Sequence, residues 1–216
     1  MKMIKRLVLV GGLLLAGTAS ANECYDHYSN QRYAEALSTC TVMAEKGGVS
    51  GLYNLGVMYD NGNGVTQDYK RAAELFTKAA EQGHIYAQFN LGNLYADGRG
   101  VPQDYKKSVK WLRMAAEQGF AEAQYNLGNM YLQGRGVPQN MVTAYVWWNV
   151  AAAQGQEAAR GNRDLAVKKM TLSQLKKGQE LSREYFKKYT NLQLSGLLFQ
   201  PKYRLIARLN LRLIIS

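Results

Sequence analysis

A repeated segment is the feature that most constrains how this chain can fold. The residues from Tyr86 to Ala121 are preceded and followed by closely similar segments, 50–85 and 122–157, at a constant offset of 36 residues. A period of this length is typical of a solenoid, because one such unit cannot bury its apolar face alone and stacked units form a continuous core. The repeat therefore predicts an architecture and a mode of action, although it does not identify a partner.

The middle copy predicts two antiparallel helices. Its first half has apolar residues at the spacing of an amphipathic helix, at Ala87, Leu91, Leu94 and Tyr95. Its second half repeats that spacing at Tyr105, Val109, Leu112, Ala115 and Ala116. Gly98 predicts the end of the first helix, because glycine adopts the left-handed conformation without a Cβ penalty. Asp104 is placed to accept hydrogen bonds from the free N–H groups of the second helix, which Gly119 closes.

A glycine also recurs inside the first helix of every copy, at Gly56, Gly92 and Gly128. Glycine in a helix interior is about 1 kcal/mol less favourable than alanine. Its recurrence at one position therefore predicts that the two helices of each unit approach closely there.

These residues resemble the Sel1-like repeat family, which is related to the tetratricopeptide repeats. The resemblance rests on three motifs, which are A-x-x-x-L-G-x-x-Y on the first helix, G-x-G-V-P-Q in the loop and A-A-x-x-G at the end of the second helix. The first copy departs from them at Gly51, Val57 and Thr66. The resemblance implies an all-α fold, an α/α solenoid of antiparallel helix pairs, that binds proteins or peptides and needs no cofactor.

The candidate binding site is a ladder of polar residues on the first helices. They lie at i, i+4, i+7 and i+11, on a face separate from the buried leucines. The members are Asn54, Asn61, Tyr86, Asn90, Asn93, Asp97, Glu122, Asn126, Asn129 and Gln133. Asparagine amides can donate to and accept from a peptide backbone, and the resemblance implies that the first helices line the concave groove. The alternative is that the asparagines bond between neighbouring repeats and fix their angle.

The N-terminal segment predicts export. Residues 1–21 combine a basic start, a short apolar run and the small residues Ala19-Ser20-Ala21, which is typical of a cleaved signal peptide. An uncleaved anchor is the alternative. The mature chain is expected to begin at Asn22.

Residues 22–49 form a degenerate half repeat that carries both cysteines of the chain. In an oxidising compartment, Cys24 and Cys40 on two antiparallel helices predict a disulfide that staples the terminal unit. Two alternatives remain, a metal site that includes His27 and a pair of free thiols, of which the metal site has too few ligands.

Charge is distributed unevenly along the chain. The three full repeats contain nine basic and nine acidic residues, which argues against a nucleic-acid partner. Residues 158–190 predict capping helices with a local excess of six positive charges, and Thr171 and Gln174 have the spacing of a capping box. This end is either a solvated cap or a contact for an acidic partner or an anionic membrane surface. The tail, 191–216, has four basic residues and no acid, and it is a candidate for peripheral contact with a membrane, for docking a partner, or for no function.

Evidence for catalysis in the sequence is weak. Ser173 and Lys176 match S-x-x-K, but the S-D-N and K-T-G motifs that accompany it in penicillin-recognising enzymes are missing from the sequence. The resemblance keeps this hypothesis open, since some exported relatives have been described as penicillin binders or weak β-lactamases. Tyr145, Trp147 and Trp148 form an aromatic cluster that is predicted to pack in the core, and the alternative is a binding hot spot.

The sequence therefore predicts an exported protein, periplasmic or secreted, that acts as a non-catalytic scaffold of the bacterial cell envelope and has no metal site. The second hypothesis is an envelope-associated protein whose basic C-terminal end contacts anionic membrane or polymer. A β-lactamase-like activity ranks third.

Overall fold

The computed structural model describes the backbone of residues 21–198 and the side chains of residues 23–188. Within this range the chain is entirely helical between its turns, and no strand is present. The helices are α1 (Ala21–Ser29), α2 (Tyr33–Glu45), α3 (Val49–Asn61), α4 (Tyr69–Glu81), α5 (Ile85–Asp97), α6 (Tyr105–Glu117), α7 (Ala121–Gln133), α8 (Met141–Ala153), α9 (Glu157–Lys169) and α10 (Leu172–Leu198). This confirms the all-α class of repeated helix pairs. The predicted signal peptide lies outside the described residues, apart from Ala21, and so does the tail beyond Leu198.

The predicted helix ends are present in the middle repeat. Gly98 closes α5 in the left-handed conformation, with a φ of 70°, and its N–H donates to the carbonyl of Leu94. The Asp104 carboxylate accepts a hydrogen bond of 3.0 Å from the N–H of Lys107 in the first turn of α6. Local sequence therefore fixes where the first helix stops and the second begins.

The recurring glycine lies where two helices meet. A Cβ atom built on Gly92 would lie 2.8 Å from Cγ of Leu112, and one built on Gly56 would lie 2.7 Å from the ring of Phe76. Ordinary carbon–carbon contacts are about 3.5–4.0 Å, so neither position has room for a methyl group. This confirms the predicted close approach.

The chain forms two compact units, one up to Ala79 and the other from Ala80. The core of the first unit contains Cys24, Ala36, Cys40, Met43, Leu55 and Met58. The predicted disulfide joins Cys24 of α1 to Cys40 of α2, with their Cα atoms 5.0 Å apart. Both residues are fully buried. Because this bond uses both cysteines of the chain, it removes the free-thiol and metal alternatives.

The core of the second unit is built around α8. Tyr145, Trp147 and Trp148 are all buried, with at most 5% of their surface exposed. The Trp147 ring meets Tyr185 of α10 edge-on at a centroid distance of 5.0 Å. These contacts confirm that the aromatic cluster packs in the core.

The C-terminal helix pair begins as predicted and ends later than expected. The Thr171 hydroxyl accepts from the N–H of Gln174 at 3.2 Å, and the Gln174 side chain accepts from the N–H of Thr171 at 2.9 Å. This reciprocal pair is a capping box. Helix α10 then continues to Leu198, past the expected start of the tail at residue 191. Leucine is a good helix former, and the sequence places no proline in this region before Pro201.

None of the helices described is both long enough and apolar enough to cross a membrane.

Candidate functional site

The first helices of the second unit are joined by side-chain amides. The Asn126 amide on α7 donates to Oδ1 of Asn93 on α5 at 3.0 Å. One repeat later, the Asn162 amide on α9 donates to Oδ1 of Asn129 on α7 at 3.1 Å. These bonds link neighbouring repeats, as the structural alternative for the ladder requires. We call the surface that these asparagines and their neighbour Asn90 form the amide face. It comprises Asn90, Asn93, Asn126, Asn129 and Asn162.

Asn129 is also tied to the second helix of its own repeat. Its Oδ1 accepts a hydrogen bond of 3.2 Å from Nε1 of Trp148. Asn162 was not among the predicted residues, although it follows Asn126 by one full repeat. The 36-residue spacing could therefore have identified Asn162. It was overlooked because α9 lacks the L-G-x-x-Y motif that marks this position in the other repeats.

The amide face retains hydrogen-bonding capacity. All five side chains are partly exposed, and an asparagine amide has two donor hydrogens and two acceptor lone pairs. Asn90 makes no side-chain hydrogen bond to another described residue, and Asn93 uses only its oxygen. The pairs therefore position the amides and leave polar groups available to a ligand.

Aromatic side chains lie beside the amide face at the start of α5 and α7. Tyr86 is 53% exposed, and its ring meets Phe120 edge-on at 5.2 Å. Phe89 contacts the Phe120 ring edge-on, at a centroid distance of 5.0 Å. Aromatic residues are enriched among the anchors of protein interfaces. Tyr86 therefore packs on Phe120, which Phe89 contacts in turn, and the three rings form an apolar platform of this kind.

His84 caps α5 next to this platform. Its Nδ1 accepts a hydrogen bond of 3.2 Å from the N–H of Ala87. Burial lowers the pKa of His84 below its ordinary value of 6.5, and the neutral ring is the form that accepts the bond. A neutral capping role accounts for this histidine without catalysis.

The outer members of the ladder are exposed and change in charge along the repeats. Glu122 lies on the exposed start of α7. Asp97, Gln133 and Lys169 occupy the same position of α5, α7 and α9, and all three are exposed. Asp97 also approaches Arg99 at 3.4 Å. This row runs from a carboxylate through an amide to an ammonium group.

The ladder residues of the first unit have different surroundings. Asn54 is only 6% exposed, and its amide donates to Sγ of Cys24 at 3.3 Å. Asn61 is exposed, and its amide donates to the hydroxyl of Tyr28 at 3.3 Å. The Asn54 amide therefore faces the disulfide and is not part of the amide face.

A second set of amides was missed by the sequence reasoning. Gln88 and Gln124 are buried and donate to the carbonyls of Ala80 and Ala116 at 3.1 and 3.0 Å. The side-chain Oε1 of Gln88 accepts a hydrogen bond from the Gln118 amide at 2.8 Å. The corresponding bond from Gln154 to Gln124 is 2.7 Å. Buried polar groups need such partners, so these glutamines hold the repeats together and do not face a ligand.

The residues considered for catalysis lie at the surface of the C-terminal helix. Ser173 and Lys176 are both exposed in the first turns of α10. Among the described residues, no group of three or more His, Cys, Asp or Glu side chains is arranged to hold a metal ion.

Comparison with known proteins agrees with the repeat architecture. The Sel1 repeat matches three times, at residues 49–84, 85–120 and 121–156. A Sel1 repeat protein from Oxalobacter formigenes is 32% identical, with a TM-score of 0.64, over 68% of this chain and 60% of its own. The protein c5321, described as a protective antigen of uropathogenic Escherichia coli with an SLR fold, is 31% identical, with a TM-score of 0.57. It covers 78% of this chain, which spans 45% of its length. No curated protein matches the chain.

The three consecutive profile matches, the helix pairs and the likeness to solved structures agree: the chain belongs to the Sel1 repeat family.

Proposed function

We propose that the chain is a non-catalytic scaffold that binds an extended segment of a partner protein on the amide face. Proteins with Sel1 repeats generally mediate protein–protein interaction. The observation that supports this surface is the pairing of Asn126 with Asn93, which orders the amides while leaving donors and acceptors unused. An extended backbone presents N–H and C=O groups that such amides match.

The aromatic platform supplies the apolar part of the interface. Tyr86 has more than half of its surface exposed, and it lies on the same helix as Asn90. A partner side chain that covers the ring would gain apolar burial, while the amides bind the neighbouring backbone. The central amides are neutral, so we expect binding to the amide face to change little between low and physiological salt, unlike attachment through exposed charges.

We further propose that the protein is exported and works in the periplasm or outside the cell. The Cys24–Cys40 disulfide is buried within the first unit, and such bonds persist in oxidising compartments. The predicted signal peptide leads to the same proposal. So does the likeness to c5321, which is described as a protective antigen.

Affinity capture from the exported fraction tests the proposed surface. The double variant Tyr86→Ala/Asn90→Ala removes the exposed ring and the amide that has no partner among the described residues. The matched control is Tyr25→Ala, because Tyr25 is 58% exposed but belongs to the first unit. We expect the double variant to lose partners that the unchanged protein and the control retain. Equal capture by all three would refute binding at the amide face.

A further inference from the structure

The repeat positions that are polar in α5 and α7 become apolar and basic in α9. Asn93 and Asn129 align with Leu165, and Gln133 aligns with Lys169. Leu165 is 56% exposed. More than half of this leucine side chain therefore remains open to solvent in this chain. The change therefore marks a place where the surface differs from the amide face.

A cleft opens at this place. Its volume is about 100 Å³, and it is lined mainly by Leu132, Met141, Trp148, Leu165, Ala166 and Lys169. Asn162, the last residue of the amide face, also lines it. A dry cavity of about 150 Å³ accepts a benzene ring, so the smaller cleft suits a branched aliphatic side chain. A segment lying along the amide face would reach the cleft at α9.

The charge around the cleft restricts what can occupy it. Arg160 and Arg163 are paired with acidic neighbours, Glu157 at 3.3 Å and Asp164 at 2.8 Å. Lys169 is exposed and has no ion-pair partner among the described residues. An acidic ligand would complement this lysine and the positive excess of the cap.

The tail of the same chain is poorly suited to the cleft. Residues 199–216 contain four basic side chains and no acidic one. Like charges placed together are unfavourable, so the tail would bring further positive charge to a cap that is already basic. This leaves a separate, acidic segment as the better match.

We propose that the cleft accepts a leucine, isoleucine or valine of a partner protein, and that a neighbouring aspartate or glutamate of the same segment pairs with Lys169. This inference rests on the proposed function and adds to it the chemistry and direction of the bound segment. Its acidic end lies at α9, and the opposite end lies towards Asp97 on α5.

Selection of peptides on the purified full-length chain tests the proposal. The probe is a phage-displayed library of short random peptides, and the selected peptides are then titrated by fluorescence polarisation. Two variants alter the cleft, Leu165→Ala and Lys169→Glu. Two matched controls change exposed neighbours that do not line it, Val167→Ala and Lys168→Glu. Folding of each variant is checked by circular dichroism.

We expect the selected peptides to carry an aliphatic residue beside Asp or Glu. Each cleft variant should weaken their binding about tenfold, which corresponds to about 1.4 kcal/mol, while both controls leave it unchanged. Equal losses for Lys168→Glu and Lys169→Glu would overturn the proposal, because they would indicate attraction by net charge alone. Selected peptides without the aliphatic-acidic pair would also overturn it.

Two further measurements separate this inference from the proposed function. If Tyr86→Ala/Asn90→Ala abolishes peptide binding and the cleft variants do not, the amide face stands and the cleft assignment fails. If no peptide binds to any form, both fail. Binding to phosphatidylglycerol vesicles that is lost in Leu165→Ala and Lys169→Glu would assign the cleft to a membrane and overturn the peptide proposal.

Discussion

Replacing Gly92 with alanine should destabilise the second unit, even though alanine is the better helix former. The added Cβ would lie 2.8 Å from Cγ of Leu112 and 3.0 Å from Cδ2. Leu112 is fully buried, and the closer atom is the branch point of its side chain, so the leucine cannot swing aside. Overpacking of this kind costs about 1–3 kcal/mol, and two short contacts place this case at the upper end. The helix-propensity gain offsets about 1 kcal/mol, which leaves a net loss of about 1–2 kcal/mol.

Gly161 provides the matched control for this prediction. It lies inside α9, and a Cβ atom built on it meets nothing within 4 Å. Gly161→Ala should therefore stabilise the unit by about 0.5–1 kcal/mol through helix propensity alone. Urea unfolding followed by tryptophan fluorescence measures both variants, because all three tryptophans of the chain lie in the second unit. If Gly92→Ala stabilised the protein as Gly161→Ala does, the close-approach explanation for the recurring glycine would be wrong.

Two further predictions concern the first unit and the His84 cap. Replacing Cys24 and Cys40 with serine should lower the stability of the first unit by about 3 kcal/mol, and unchanged hydrogen-exchange protection of α1 to α3 would contradict this. Burial lowers the pKa of His84 below 6.5, so the unfolded chain takes up the proton first. The stabilisation that neutral His84 provides is complete above pH 6.5. It is lost as the pH falls from 6.5 through the lower pKa of His84 in the folded state. His84→Ser retains a cap acceptor at every pH and should lose less stability than the unchanged protein between about pH 7 and pH 5; equal losses in urea titrations would refute the role of His84.

The helix pairs could be predicted from the sequence because their signals are local. The repeat period, the Gly98 and Asp104 helix ends and the Thr171–Gln174 capping box each depend on a few consecutive residues. The glycine that recurs at the position of Gly92 also made one contact between helices predictable, because the two helices approach closely there in every copy. The disulfide followed from the number of cysteines and their placement on two helices.

The partners of individual amides could not be predicted, because they depend on the register between helices. Asn54 and Asn126 have the same repeat position, yet one donates to a cysteine sulfur and the other to Asn93. Gln88, which is buried, and Gln118, which is exposed, recur with the repeat, but the sequence does not show that their side chains face each other. The cleft beside Leu165 also required the packing of three helices to become visible.

The most direct test of the central claim is site-specific photocross-linking at the amide face. A p-benzoylphenylalanine placed at Tyr86 keeps an aromatic ring at an exposed site, and the same residue placed at Tyr25 provides the control in the first unit. After irradiation of cells that export the protein, mass spectrometry identifies the adducts. We predict a discrete protein adduct from position 86 that is absent from position 25. Adducts at position 25 but none at position 86 would contradict binding at the amide face.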